Sequence, residues 1–227
     1  MVYIYFTGKI NSANYISFKL NIIIFGSGGF AKEAIDLIEE NLNGKIIGFI
    51  DKKNTDKLIL GYSFLGTDKN INEIIKQYKA THFFVAIGDI KIRSQLFISL
   101  RNKLKPLTII SKNASLSKYS RIGEHAIIYP GVIINAEVTL GDNVIVNTNV
   151  TIGHETKIGS HVNINPGANI AGKVKVNNFC TVGIGSTIKE NLIIGSNSTI
   201  GAGAVVVKNA LANKIYIGVP AEIMKKQ

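Results

Sequence analysis

Tryptophan is absent from this chain of 227 residues, and cysteine occurs once, as Cys180. One thiol forms no disulfide within a chain, which excludes a disulfide-stapled scaffold and fits the reducing cytoplasm. No apolar run approaches the ~18 residues of a membrane helix, so no membrane insertion is expected. The first twenty residues lack a signal-peptide pattern, since Lys9, Asn11, Ser12 and Asn14 interrupt them. Histidine is scarce too: His82, His125, His154 and His161 are the whole supply. Any proton transfer that needs an imidazole must draw on these four. Acidic residues number 15 against 26 Lys and Arg, a net charge of +11. The basic residues are scattered and no aromatic-basic stacking motif accompanies them. Small phosphorylated ligands therefore account for the charge at least as well as nucleic acid, and no nucleic-acid partner is expected.

Aliphatic residues, by contrast, are abundant and evenly placed. From Leu116 to Val206 every sixth residue is Leu, Ile or Val, sixteen positions in succession. Period six is neither the 3.6 of a helix nor the 2.0 of a plain strand, and a fixed repeat marks a solenoid. Two residues before each aliphatic stands a small or β-branched residue, as at Ala114, Val132, Thr156, Cys180 and Ala204; Leu192 is the one larger case. Each hexad thus offers two inward side chains in period 2, which fits a short strand. The same phase puts Cys180 inside, as a small hydrophobe rather than a nucleophile. The residue after each aliphatic is often Gly or Asn, as at Gly123, Gly153 and Asn165, types that accept tight corners and positive φ. Strand and corner in alternation describe a β-helix. His154 comes two residues after the inward Ile152 and projects outward at a corner, where Glu155 can orient its imidazole and raise its basicity. Asn147, about one coil-face earlier, is a candidate substrate contact.

The N-terminal third has a different grammar. Asn21–Phe25 (NIIIF) reads as a buried strand, Gly26-Ser27-Gly28-Gly29-Phe30-Ala31 as a Gly-rich turn, and Lys32–Glu40 as a helix. Such a turn lets backbone N–H groups at a helix N-terminus approach a phosphate or another polar ligand. Ala31 stands where the dinucleotide fingerprint has its third glycine. Lys45–Ile50 is a second strand ending at Asp51-Lys52, Ile71–Tyr78 a helix, His82–Ile87 a third strand ending in Gly88-Asp89, and Lys91–Arg101 a helix. The unit is βαβαβα, with ligand groups at strand C-termini.

The succession G-S-G-G-F-A-K-E, G-F-I-D, A-I-G-D-x-x-x-R and then hexapeptide repeats resembles, over about residues 21–224, the hexapeptide-repeat sugar acyltransferases with an N-terminal nucleotide-sugar-binding domain. Bacillosamine and perosamine N-acetyltransferases and sialic acid O-acetyltransferases belong to that group. The resemblance implies a Rossmann-like α/β domain over residues 21–108, after an extension at 1–20. A left-handed parallel β-helix with three hexads per coil would follow over 109–227. It implies acetyl-CoA as co-substrate, a nucleotide-linked amino-sugar as acceptor, no metal, and a homotrimer with sites between subunits. The nucleotide-sugar contacts would be Gly28, Gly29, Phe30, Asp51, Lys52, Gly88 and Lys91. Phe30 departs from several N-acetyltransferases, which carry His there. His154 and Glu155 match the catalytic base and its acidic partner. Asn163 stands where the family often has a second His near the acetyl carbonyl, and is preferred over His161 for that contact. Ile184 and Ala202 match further CoA positions. The closing Gly218-Val219-Pro220-Ala221 matches the family's G-x-P-A, with Glu222 where a basic residue is common; Lys225 and Lys226 could instead meet CoA phosphates. The expected reaction is N-acetylation of a 4-amino-4,6-dideoxysugar for a bacterial surface glycan or glycoprotein, with O-acetylation of a sialic-type sugar as the alternative. Two remoter readings stay open. His125 and His161, thirty-six residues apart, have the spacing of two zinc ligands in γ-class carbonic anhydrases, although the third would fall at Pro166. A non-catalytic solenoid is the other.

Overall fold

The Leu20–Phe25 segment has no polar alternation because both of its faces are covered, as in the middle of a parallel sheet. In the computed structural model, which describes residues 20–42, 44–53 and 58–224, it forms β1, and Ile22, Ile23 and Ile24 are fully buried. Around it lie α1 (Gly29–Asn41), β2 (Gly44–Ile50), β3 (Phe64–Gly66), α2 (Ile71–Tyr78), β4 (His82–Val85), α3 (Ile90–Leu100) and β5 (Lys105–Pro106). The strands run parallel in the order β3-β2-β1-β4-β5. The order reverses between β1 and β4, and a crevice opens at the strand C-termini of such a switch point. The expected helices appear within three residues of their predicted ends. β3 was not foreseen: it is a three-residue, half-buried edge strand, too short for a periodic signal. The described residues divide into two compact units between Ile109 and Ile110. The expected extension, apart from Leu20, and Lys225 and Lys226 lie outside the described residues.

The second unit is the parallel β-helix of hexapeptide repeats. Its first wall holds Ser115–Leu116, Ile133–Ile134, Thr151–Ile152, Asn169–Ile170, Thr187–Ile188 and Val205–Val206. The second holds Arg121–Ile122, Thr139–Leu140, Lys157–Ile158, Lys175–Val176 and Ile193–Ile194. The third begins with Ile109–Ile110, Ile127–Ile128, Ile145–Val146, Asn163–Ile164, Thr181–Val182 and Thr199–Ile200, and closes with Ile215–Ile217 and Glu222–Ile223. Rungs through Val205–Val206 pair eighteen positions apart, as Ile134 with Ile152 and Ile152 with Ile170, so three hexads make one coil; the last coil is shorter, with Thr199 paired to Ile215.

The hexad aliphatics stack inside these walls, fully or nearly buried from Ile128 to Val206. Each contributes roughly 1.5–3 kcal/mol of apolar burial. Their small partners fill the corners of the prism. Where such a partner carries a hydroxyl, the hydroxyl is satisfied: Thr156 Oγ1 donates to Ala171 O at 2.9 Å, Ser186 Oγ to Gly183 O at 2.9 Å and Ser198 Oγ to Leu211 O at 2.8 Å. Cys180 is fully buried, its thiol 3.0 Å from Gly195 O, and burial pushes its pKa up.

One sequence argument is corrected. Positive φ does not fall on the residue after each aliphatic but two positions later, at Glu137, Glu155 and Lys173, at His125, Asn143, His161 and Phe179, and at Gly131, Asn149, Gly167 and Gly185. The glycine after the aliphatic answers a different demand, the close passage of the next coil. A Cβ on Gly183 would lie 2.6 Å from the Ala202 nitrogen and the Gly201 carbonyl carbon; one on Gly141 would lie 2.7 Å from the Ser160 nitrogen. Gly185, at φ +63°, has open space around it. Gly183→Ala is therefore expected to lower stability in chemical denaturation by about 1–3 kcal/mol, as overpacking does. Gly185→Asn, tolerant of positive φ, should change it by no more than about 0.5 kcal/mol.

Candidate active site

In the N-terminal unit the switch point opens into a cleft of about 470 Å³. Phe25 to Phe30, Ile50, Asp51, Lys52 and Gly88 line it, so six of the seven expected nucleotide-sugar residues meet there. Lys91 is the exception. It sits in the first turn of α3, exposed and outside the cleft lining. The residue that serves this rim is Arg93, two residues on, on the buried side of α3 and 1% exposed, whose guanidinium donates to Ile87 O and Gly88 O, each at 3.1 Å. Burial lowers its pKa to about 10, with Asp89 opposing, so it remains a cation at neutral pH. Arg93 belongs to the A-I-G-D-x-x-x-R motif but was given no role, because sequence spacing does not show which side of a helix turns inward. Ser27, Asp68, Ile92 and Leu96 also line the cleft. Asp68 follows the unforeseen β3, so no motif pointed to it.

The turn after β1 leaves the N-terminus of α1 open. A Cβ on Gly26 would lie 2.7 Å from Ala86 O, whereas Gly28 and Gly29 face open space. Gly28 caps α1 without a side-chain hydrogen bond, and no acid occupies the first turn. The positive end of the helix dipole is thus left to a ligand. Asp51 is held beside it: Ser27 Oγ donates to Oδ2 at 2.5 Å and the Lys52 N–H to Oδ1 at 2.6 Å. Phe30 meets Phe84 edge to face, ring centroids 5.9 Å apart, and offers an apolar wall with no side-chain donor.

In the β-helix, His154 and Glu155 occupy the corner between the first and second walls, after Thr151–Ile152. The His154 side chain is 61% exposed and its Nδ1 lies 2.8 Å from Glu155 Oε2. An ionised carboxylate only accepts, so Nδ1 donates and the Nε2 lone pair is left to take a proton. Glu155 has φ +60°, a conformation that costs a non-glycine residue about 1–2 kcal/mol. The hydrogen bond from His154 holds the Glu155 carboxyl below its ordinary range against the opposing effect of desolvation, and Lys173, its Nζ 3.7 Å away, adds to the lowering. A carboxyl with depressed pKa favours the folded state above its unfolded value, and that contribution is lost as pH falls through the folded one. The Glu155 carboxylate therefore stays ionised through neutral pH, and the hydrogen-bonded arrangement fails only in acid.

Gly172 was missed by the sequence reading. It stands one coil beyond His154, and a Cβ there would lie 2.7 Å from Nε2 and 2.9 Å from Cε1. The imidazole lies over a surface that only glycine leaves clear. The period-eighteen register places 172 next to 154, but without coordinates it does not show that the ring folds over it.

The remaining candidates fall elsewhere on the prism. Asn147, Ile184 and Ala202 follow third-wall rungs, at the corner between the third and first walls, and Asn163 lies on the third wall itself. The third wall is opposite the corner that carries His154. One chain therefore does not bring Asn163 to His154. Asn147 Oδ1 accepts from the Thr148 N–H at 2.8 Å. His125 and His161 stack in one column as their spacing requires, but Asn143 stands between them. His125 Nδ1 donates to Asn143 Oδ1 at 3.0 Å, and Asn143 Nδ2 donates to His161 Nδ1 at 2.8 Å. Phe179 stacks on His161 at 4.7 Å. The column is a hydrogen-bonded ladder in which the two imidazoles turn their Nδ1 atoms to an amide rather than to a shared ion. Among the described residues no group of three or more His, Cys, Asp or Glu is placed to hold a metal, and no helix is long and apolar enough to cross a membrane.

A Gly-rich nucleotide-type cleft and an outward His-Glu pair on a hexapeptide β-helix define a two-part transferase architecture, and the comparisons agree. Residues 21–100 match the PglD N-terminal domain, and residues 119–154 match the bacterial transferase hexapeptide (six repeats). The chain thus joins a PglD-type N-terminal domain to bacterial transferase hexapeptide repeats. It is 32% identical over 119 residues to a GDP-perosamine N-acetyltransferase from Escherichia coli O157:H7, a match that covers 49% of this chain and spans about half, 52%, of that relative. PerB from Caulobacter crescentus, solved with CoA and GDP-perosamine, superposes with a TM-score of 0.84 at 29% identity, covering 90% of this chain and 97% of PerB. WeeI from Acinetobacter baumannii AYE gives 0.81 at 26% identity, covering 91% of this chain and 100% of WeeI.

The Gly172 surface can be probed before any activity is measured. The atoms that a Gly172→Ala methyl would strike are the end of an exposed side chain, so the substitution should change stability by no more than about 0.5 kcal/mol. It should nevertheless move the His154 imidazole resonances in NMR spectra and weaken their coupling to Glu155. Unchanged resonances would show that the ring does not depend on this glycine.

Proposed function

We propose that the protein is an acetyl-CoA-dependent N-acetyltransferase acting on the 4-amino group of a nucleotide-linked amino-dideoxysugar. The observation that carries this reading is the His154–Glu155 pair, with Nδ1 engaged, Nε2 open and the ring laid over Gly172. The cleft at the β1 turn supports it by offering a helix N-terminus to a diphosphate. The relatives support the acceptor type, since the E. coli protein is named for GDP-perosamine and PerB was solved with that sugar and CoA. A hydroxyl acceptor would use the same base; the amino-sugar relatives favour the amine.

The amine nitrogen attacks the thioester carbonyl carbon, and His154 Nε2 takes the proton that the nitrogen sheds. Glu155 stabilises the imidazolium formed. The carbonyl oxygen becomes an oxyanion that needs a donor. Asn163 of a second subunit fills that role through its amide, with the Gly172 N–H, which has no acceptor among the described residues, as a further donor. Collapse breaks the C–S bond, and the thiolate of CoA recovers the proton. No acyl-enzyme forms, and Cys180 is sealed inside the prism.

The protein works as a homotrimer in this reading. First-wall outward residues such as Ile133, Thr151, Asn169 and Thr187 carry no charge, whereas Lys157 and Lys175 mark the second wall, so an uncharged wall is available to a second copy. Both substrates are cytoplasmic metabolites, which places the reaction in that compartment, and the product suits assembly of a bacterial surface glycan or glycoprotein. His154→Ala should lower kcat with acetyl-CoA and an amino-sugar nucleotide by about 10²–10⁴-fold with little change in KM. Retention of wild-type kcat would remove His154 from the mechanism.

A further inference from the structure

We propose that Asp68 reads the nucleobase and selects guanine. This rests on the nucleotide-sugar reading of the cleft and adds the choice of base, which neither the motifs nor the relatives assign to a residue of this chain. The walls of the cleft differ in chemistry. On the β4 and α3 side the lining is Ala86, Ile87, Gly88, Ile92 and Leu96, with no side chain able to hydrogen-bond. On the β2 and β3 side stand Asp51, Lys52 and Asp68. A diphosphate at the α1 N-terminus lies between them. The polar edge of a base must find partners when it leaves water, or the desolvation of its donors and acceptors goes uncompensated. It therefore belongs on the β2 and β3 side.

The two carboxylates there are not equivalent. Asp51 is committed to Ser27 Oγ and to the Lys52 N–H, which fixes it beside the turn where a ribose would follow the phosphates. Asp68 follows β3 at the far edge. Its backbone carbonyl accepts from the Ile71 N–H, and its carboxylate has no hydrogen bond or ion pair among the described residues. It is an exposed, acceptor-only group at the edge of the cleft, open to a ligand's donors. Guanine presents two adjacent donors on one edge, N1–H and the C2 amino group, which a carboxylate accepts together. Uracil and thymine present one N–H flanked by two carbonyl oxygens, which a carboxylate repels. Adenine and cytosine place a ring-nitrogen acceptor beside their amino group. Only guanine matches both oxygens of Asp68.

Titration of the full-length protein with GDP, IDP and UDP by calorimetry tests the assignment. Hypoxanthine keeps N1–H and lacks the amino group, so IDP isolates half of the contact. GDP should bind at least about tenfold more tightly than UDP, within the range of one bidentate base contact, with IDP between them. Asp68→Asn should weaken GDP and IDP and leave UDP bound at least as tightly, since the amide no longer repels the uracil carbonyl oxygens; retained UDP binding also shows that the variant is folded. An unchanged GDP-to-UDP ratio in Asp68→Asn, or an equal weakening of all three nucleotides, would overturn the role of Asp68 while leaving the nucleotide cleft in place. Failure of every nucleotide to bind would overturn the nucleotide-sugar reading as well.

Discussion

An eighteen-residue register, closed by backbone hydrogen bonds between successive coils, is the constraint on which the β-helix depends. Asn135 N–H donates to Ile152 O at 3.0 Å, Gly153 N–H to Ile170 O at 2.8 Å and Ala171 N–H to Ile188 O at 3.0 Å. Because each hexad spans one wall and one corner, the register turns sequence position into an address on the prism. Through most of the stack an inward residue lies beside those eighteen before and after it, which is why a single periodic series supplies a continuous core. The same register prescribes where side chains must be missing. Coils that pass this closely leave no room for a Cβ at Gly141 or Gly183.

The chemistry grows out of the same geometry. Corner residues in the left-handed region recur through the stack, and Glu155 is one of them. Held there, its carboxylate sits alongside the ring of the preceding residue and fixes the tautomer that leaves Nε2 available. One coil on, the corner carries Gly172, and the ring lies over it. In the N-terminal unit the comparable device is the sheet order. Reversal between β1 and β4 opens the crevice, and Arg93, buried beneath its rim, ties down the carbonyls of Ile87 and Gly88.

Much of this was legible in the sequence, for physical reasons that also mark the limits. The hexad series is a packing pattern, and packing patterns survive in one dimension; it located Cys180 inside and His154 outside. The strand, turn and helix around Gly26–Ala31 were legible because a buried strand and a Gly-rich turn have strong local signatures. Lys91 was placed in the cleft and Arg93 passed over, because facing depends on how α3 docks on the sheet. Asp68 was invisible because a three-residue edge strand precedes it. The glycines after each aliphatic were recognised but explained by backbone conformation, when the cause is the passage of a neighbouring coil eighteen residues away.

The register also separates the proposed acetyl contact from the proposed base. Asn163 lies on the wall opposite the corner of His154, so the site proposed from these two residues calls for two copies of the chain. Complementation between variants measures this most directly. His154→Ala and Asn163→Ala proteins, each impaired alone, are co-refolded in equal amounts and assayed for acetyl transfer. If the site is shared, an interface that pairs an intact His154 with an intact Asn163 forms in about a quarter of random pairings, and the mixture recovers about that share of wild-type activity. A mixture no more active than the average of the two variants would contradict the account and place the whole site within one chain.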